Sequence, residues 1–430
     1  MTDTSNTLSI DTSPTRRRVN RTAVAAVVAT LPAWSLSFAE SSRGIVLTLL
    51  TTVAILAVLA TLDRSAVEPV RRRAAAVLAY VVLVVAALVA FVFHPSGAGA
   101  ILTFAIAAPV GVVLAVAGFT TDELRRFVAA PLLATTAIQA VIVAAQSVTE
   151  EAVGYTILHP GGVLLITNDW MVRPQGLYDH VYEPAAVAVI AVALGLALLP
   201  GPGRMRTWFL VGIGAATTTV ALTHSRSAFL GLLAVFIIGV VGAVRADKGL
   251  QVGMTVVGVT FLIPALLTAS AWQVRIEETL RGDLDDASLG RITLMKQAIE
   301  MAGDNPFAGV GPNRYMTVLE SDYTVDEEYP YVVHNQSLMV TAELGILAGI
   351  LFTALVVWAG VQAYRAGNRP LLLYAAPVPL FVFDVLLYNK PVGLLLFAVW
   401  CGAVGALYIS SRVPGVTVQV PLSTRDLNES

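Results

Sequence analysis

The chain has 430 residues, of which 56% are hydrophobic and 13% charged, with a formal net charge of −2. A soluble domain carries about 25% charged residues, so a chain this apolar has too little polar surface for water and belongs in a bilayer. Near-neutral charge without a basic, aromatic-interleaved patch gives no sign of a nucleic-acid partner, and the single Cys401 cannot form an internal disulfide.

Residues 1–21, rich in Ser, Thr and Arg, are expected to form a disordered cytoplasmic arm. An uncleaved first span is expected in place of a signal peptide, because no small-residue cleavage site follows the first apolar run. A spanning helix needs about 20 mostly apolar residues. On that criterion spans are predicted at 22–38, 44–62, 74–93, 100–119, 127–146, 184–199, 207–223, 227–244, 251–272, 336–364, 371–388 and 391–410. The expected fold is therefore all-α: a single transmembrane domain over residues 22–410, with about 12 spans and a tail at 411–430. The apolar, glycine-rich stretch Val153–Ile166 is too short for a span and reads as loop.

Alternate connections are basic. Arg16–Arg18 with Arg21, Arg64 with Arg71–Arg73, Arg125 with Arg126, Arg204 with Arg206, Arg245 with Lys248, and Arg365 with Arg369 fall on one face. The positive-inside rule makes that face cytoplasmic and puts both termini there.

Two connections on the opposite face, about 147–183 and 273–333, are too long to be turns. In the second, Ser288–Met301 has helical spacing, with Ile292, Met295 and Ile299 on one stripe, so an amphipathic helix at the outer interface is expected. These loops are acidic, which makes arginines on this face informative, among them Arg173, Arg291 at the start of the amphipathic helix, and Arg226 in a short outer turn. His334 and Asn335 stand where the second loop meets a span, and Glu343 follows inside it. Arginine presents a rigid fork suited to phosphate, and histidine is the usual general base near neutrality. Together they suit displacement of a lipid diphosphate. Taken alone, each arginine reads more readily as a snorkelling anchor and His334 as a packing residue. An ionisable group within a span, such as Glu343 or Asp384, points to function, although it can also simply neutralise a neighbouring arginine. Asp283-Leu284-Asp285 matches a metal-binding D-x-D pattern, but such a match is cheap in an acidic loop, and no metal is expected.

Three segments resemble the O-antigen ligase and O-antigen polymerase superfamily. They are Thr223–Gly231 (THSRSAFLG), Gly290–Arg314 (GRITLMKQAIEMAGDNPFAGVGPNR) and His334–Gly349 (HNQSLMVTAELGILAG), in the family order. Arg173-Pro174-Gln175-Gly176-Leu177 is similar to the family's R-x-x-G segment, although Tyr182-Glu183-Pro184 replaces the usual H-P-N and no Trp follows Arg291. The resemblance implies a GT-C-like membrane glycosyltransferase that needs no metal or other cofactor and is inverting. It would move a polyprenyl-diphosphate-linked glycan to a hydroxyl of a glycan, lipid-core or protein acceptor on the outer face of the cytoplasmic membrane. By position, Arg226 and Arg291 would hold the diphosphate with Arg173 as a third candidate, His334 would act as base or orient the acceptor, and Glu343 would support the site. Asn335 and Arg314 lie in the same segments and are candidate substrate contacts. Ligase and polymerase are both consistent with these motifs. The alternative reading is a transporter or flippase of a lipid-linked saccharide, which would call for internal pseudo-symmetry and broken mid-membrane helices.

Overall fold

The computed structural model describes residues 14–29, 85, 87–94, 112, 113, 116, 118–154, 165–167, 171–178, 180–244, 248–280, 286–323, 332–384 and 391–412. The predicted span at 44–62, most of those at 74–93 and 100–119, and Asp283-Leu284-Asp285 lie outside these residues.

Helix α1 covers Pro14–Ala29. It starts within the expected disordered arm, with proline in the first turn, where a missing N–H costs nothing. Helix α2 runs Thr121–Thr149, opened by a capping box between Thr120 and Glu123 and interrupted by one π-turn at Arg125–Ala129. Strands β1 (Leu165–Thr167) and β2 (Met171–Arg173) pair antiparallel, with Leu165 opposite Arg173. This hairpin is the sole strand pairing among the described residues, at a place where sequence suggests only loop.

Next come α3 (Tyr182–Ala197), α4 (Arg204–Thr223), α5 (Arg226–Val244), α6 (Lys248–Leu267) and α7 (Ala269–Leu280). Helices α8 (Asp286–Asp304) and α9 (Tyr315–Asp322) belong to the second long loop. They are followed by α10 (Gln336–Leu344), α11 (Ile346–Ala366), α12 (Asn368–Ala375), α13 (Val378–Phe383) and α14 (Pro391–Arg412). Five helices are long and apolar enough to cross a membrane: α2, α4, α5, α6 and α11. Shorter apolar helices occur at Val19–Ala29, Tyr182–Ala197 and Val392–Tyr408. The chain is an integral membrane protein.

Helix α3 is the hub, buried from Glu183 to Ala197 and packed on α2, α4, α5, α12 and α14. Its run of alanines lets neighbouring backbones come close, which is how helices associate where lipid supplies no hydrophobic drive. Two predicted spans are broken. The one expected at 336–364 divides at Gly345, whose φ of +93° suits glycine alone. The Pro306 carbonyl accepts from Ile346 N–H there at 2.9 Å, which satisfies a donor freed by the break. The span expected at 371–388 divides at Pro377, between α12 and α13.

Side-chain contacts bring several of the basic connections to one end. Arg21 pairs with Glu123 and lies over the Phe127 ring. Arg125 Nε donates to the Leu198 carbonyl at 2.8 Å, capping the end of α3. The start of α2, the end of α3 and Arg21 of α1 therefore share a face.

Candidate functional site

The site forms where α5, α10 and α13 meet. Helix α4 ends at His224 in the left-handed region, with φ +51°, and the chain reverses through Ser225 to start α5 at Arg226. The His224 ring lies 5.5 Å from that of Trp272, whose indole N–H donates to the Ala221 carbonyl at 3.2 Å. This buried, tilted ring contact braces the turn that carries Arg226. One helical turn beyond Ser227, Gly231 lets α5 close on the Ala376 carbonyl; a methyl there would collide with it. That approach carries Ser227 to the end of α13.

Ser227 Oγ donates to Asp384 Oδ2 at 3.2 Å and lies 3.3 Å from Ser225 Oγ. The other oxygen of Asp384 faces His334 Nδ1 at 3.9 Å, an ion-pair distance too long for a hydrogen bond. His334 is partly exposed, whereas Asp384 is buried. A connected series thus runs from the turn bearing Arg226, through two serines and a carboxylate, to the imidazole. In the sequence, Asp384 stands out as an ionisable group with no evident partner, and neither serine draws notice. The serines lie directly beside Arg226 in the same turn, and that proximity is the signal that could have found them.

Asn335 caps α10. Its Oδ1 accepts from Leu338 N–H at 3.0 Å and its Nδ2 donates to the Val382 carbonyl at 3.2 Å. The amide expected to meet substrate is thus engaged in fixing α10 against α13. Glu343 lies 1% exposed near the far end of α10. Its carboxylate accepts from Asn313 N–H at 2.9 Å and Tyr315 N–H at 3.2 Å. The Glu343 and Ala342 carbonyls accept from Gly311 and Val310 N–H at 3.0 and 2.8 Å. Gly309, at φ +62°, is pressed so closely on this backbone that no side chain fits. The P-x-x-G-V-G and E-x-G segments are therefore two sides of one interlock, with the Glu343 carboxylate accepting from the facing backbone.

Arg314 occupies the N-cap of α9 and lies beside His94 at Gly311. The Tyr315 phenol donates to the Leu294 carbonyl at 3.2 Å, which ties α9 to α8; burial, then the Glu343 charge, push its pKa up and keep it a neutral donor. Helix α8 packs on α10. Its buried face is Leu294, Gln297, Ala298 and Met301, while Ile292, Met295 and Ile299 face outward, as an interfacial helix requires. Arg291 stands one turn before Leu294 on this helix; its side chain lies outside the described residues.

Arg173 ends β2, in a loop clamped by two amides of α2. Gln146 Oε1 accepts from Gln175 and Gly176 N–H at 3.1 and 2.8 Å, and its Nε2 donates to the Val153 and Gly176 carbonyls, both at 2.9 Å. Gln139 Oε1 accepts from Leu177 N–H at 2.9 Å. Gly176, at φ +63°, makes room for Gln139. The R-x-x-G spacing thus has a structural reason. The clamp is legible as two glutamines seven residues apart on one face of an apolar helix. Below it, burial and then Glu183 push the Tyr178 phenol pKa upward.

The apolar helices thus bring together, at their ends, His334, Asp384 and the turn that bears Arg226. Residues 211–353 match the family model described as O-antigen ligase, so this part of the chain is similar to that family. Among curated proteins, no sequence matches the chain. The matched segment includes Arg226, Arg291, Arg314, His334, Asn335 and Glu343 but not Arg173 or Asp384.

Proposed function

We propose that the chain transfers a glycan from a polyprenyl-diphosphate donor to an acceptor hydroxyl on the outer face of the cytoplasmic membrane, with both termini inside. The observation that supports this reading is that Ser227, the residue after Arg226, hydrogen-bonds Asp384, whose other oxygen faces His334. His334 takes the proton from the acceptor hydroxyl as that oxygen attacks the anomeric carbon. Asp384 faces Nδ1 and favours a proton there, leaving Nε2 to serve as base. The bond from the anomeric carbon to the diphosphate oxygen breaks, with inversion. Arg226 and Arg291, with Arg173 as a third cation, neutralise the departing charge. The products are an extended or ligated glycan and a polyprenyl diphosphate.

The test is transfer in proteoliposomes containing lipid-linked glycan extracted from the source membrane. Wild-type protein is expected to release polyprenyl diphosphate with EDTA present, and Arg226→Ala to release it about 100-fold more slowly. Equal rates for the two proteins would remove Arg226 from the reaction. Size analysis of the product separates addition of single repeat units from transfer of finished chains.

A further inference from the structure

The first residue of α10, Gln336, lies 1% exposed. Neither its amide oxygen nor its amide nitrogen meets a hydrogen-bond partner among the described residues. The neighbouring Asn335 shows the contrast, since both ends of its amide are engaged. Buried amides in native proteins are nearly always satisfied, and an exception calls for a ligand, a water or a function.

Position narrows the choice of ligand. Gln336 follows His334 by two residues, so their Cα atoms are at most about 7.6 Å apart. A planar amide offers one acceptor and one donor edge side by side. Neighbouring hydroxyls on a pyranose ring, or a hydroxyl beside an acetamido group, present the complementary pair. A diphosphate would instead seek the cations and has no proton to give the amide oxygen. An unpartnered amide two residues along the chain from the proposed base thus fits a sugar ring better than a phosphate.

The geometry points to Gln336 as the residue that binds the acceptor sugar, hydrogen-bonding a hydroxyl or acetamido group adjacent to the hydroxyl that His334 deprotonates. This rests on the transferase reading and adds a specificity-determining residue to it. Gln336 orients the acceptor ring and takes no part in the proton transfer.

The experiment uses the full-length protein in proteoliposomes made with membrane extract that carries its own lipid-linked glycan and acceptor. Initial transfer rates are measured against extract density for wild type, Gln336→Met and His334→Ala, with thermal unfolding of each in detergent. Methionine keeps the length of the side chain and removes the amide. The expected result is an apparent KM raised about tenfold for Gln336→Met, with maximal rate within about threefold of wild type and an unfolding temperature equal or higher. Unchanged KM with a higher unfolding temperature would reduce Gln336 to a tolerated packing flaw and overturn the inference. Unchanged KM with lowered rate and lowered unfolding temperature would make Gln336 structural and overturn the inference equally. If Gln336→Met behaves in either of these ways while His334→Ala is inactive, only the Gln336 assignment falls. If wild type transfers no more than His334→Ala, the transferase reading falls and takes the inference with it.

Discussion

The two ends of α10 carry two acidic neighbourhoods that look alike in sequence and differ in the structure. At the far end, Glu343 is met by the backbone N–H groups of Asn313 and Tyr315. These donors are fixed and cannot exchange protons with a substrate, so the carboxylate serves as a clamp. At the near end, Asp384 meets a serine hydroxyl and faces an imidazole, side chains that can turn toward a substrate. The contrast separates architecture from chemistry more sharply than burial does, because both carboxylates are buried.

The strongest way to break this comparison is to remove the imidazole. His334→Ala is expected to lower the transfer rate by about 10²–10⁴-fold, the usual contribution of a positioned general base, with normal membrane abundance. A rate within about threefold of wild type would make the near end architectural too. Next comes the clamp. Glu343→Ala leaves two backbone donors without their partner, at about 1–3 kcal/mol each, so loss of folded protein is expected in thermal unfolding before any kinetic effect is read. Glu343→Gln keeps an acceptor for one donor and should fall between Ala and wild type. Retention of full stability with loss of rate would turn Glu343 into a participant.

Ser227→Ala tests the near end more gently. Asp384 loses one donor, and a rate loss of roughly three- to tenfold is expected, with Arg226 still in place. The smallest effect is expected at Tyr323, which follows α9 and touches neither carboxylate, and whose phenol donates to Asp304 Oδ2 at 2.7 Å. Desolvation, followed by the Asp304 hydrogen bond, pushes its pKa from 10.0 to about 12. The folded protein holds this proton more tightly than the unfolded chain, so the contribution is complete below pH 10 and lost as pH rises from 10 to about 12. Tyr323→Phe should cost under about 1 kcal/mol at neutral pH, and the difference from wild type should close across that range.

Several features are legible from composition and spacing. The apolar runs at 207–223, 227–244 and 251–272 correspond to α4, α5 and α6 with α7, and the α8 stripe of Ile292, Met295 and Ile299 does face outward. The breaks at Gly345 and Pro377 are not legible, because apolar residues continue on both sides and hydropathy averages over a single glycine or proline. The pairing of His334 with Asp384 is out of reach for a different reason. The two are separated by the whole of α11, and one-dimensional spacing carries no information about which helix ends meet. Asn335 looks like a substrate contact because it stands beside His334, but that adjacency equally suits an N-cap, and its hydrogen bonds show the cap.

The central claim is that His334 drives transfer on the outer leaflet, and its most direct test is the fate of lipid-linked glycan in cells of the source organism that carry His334→Ala. The precursor should accumulate in the outer leaflet while finished surface glycan disappears, with the variant present in the membrane at wild-type level. Normal surface glycan would contradict the account, and precursor held on the inner leaflet would point to transport of the lipid-linked saccharide as the function.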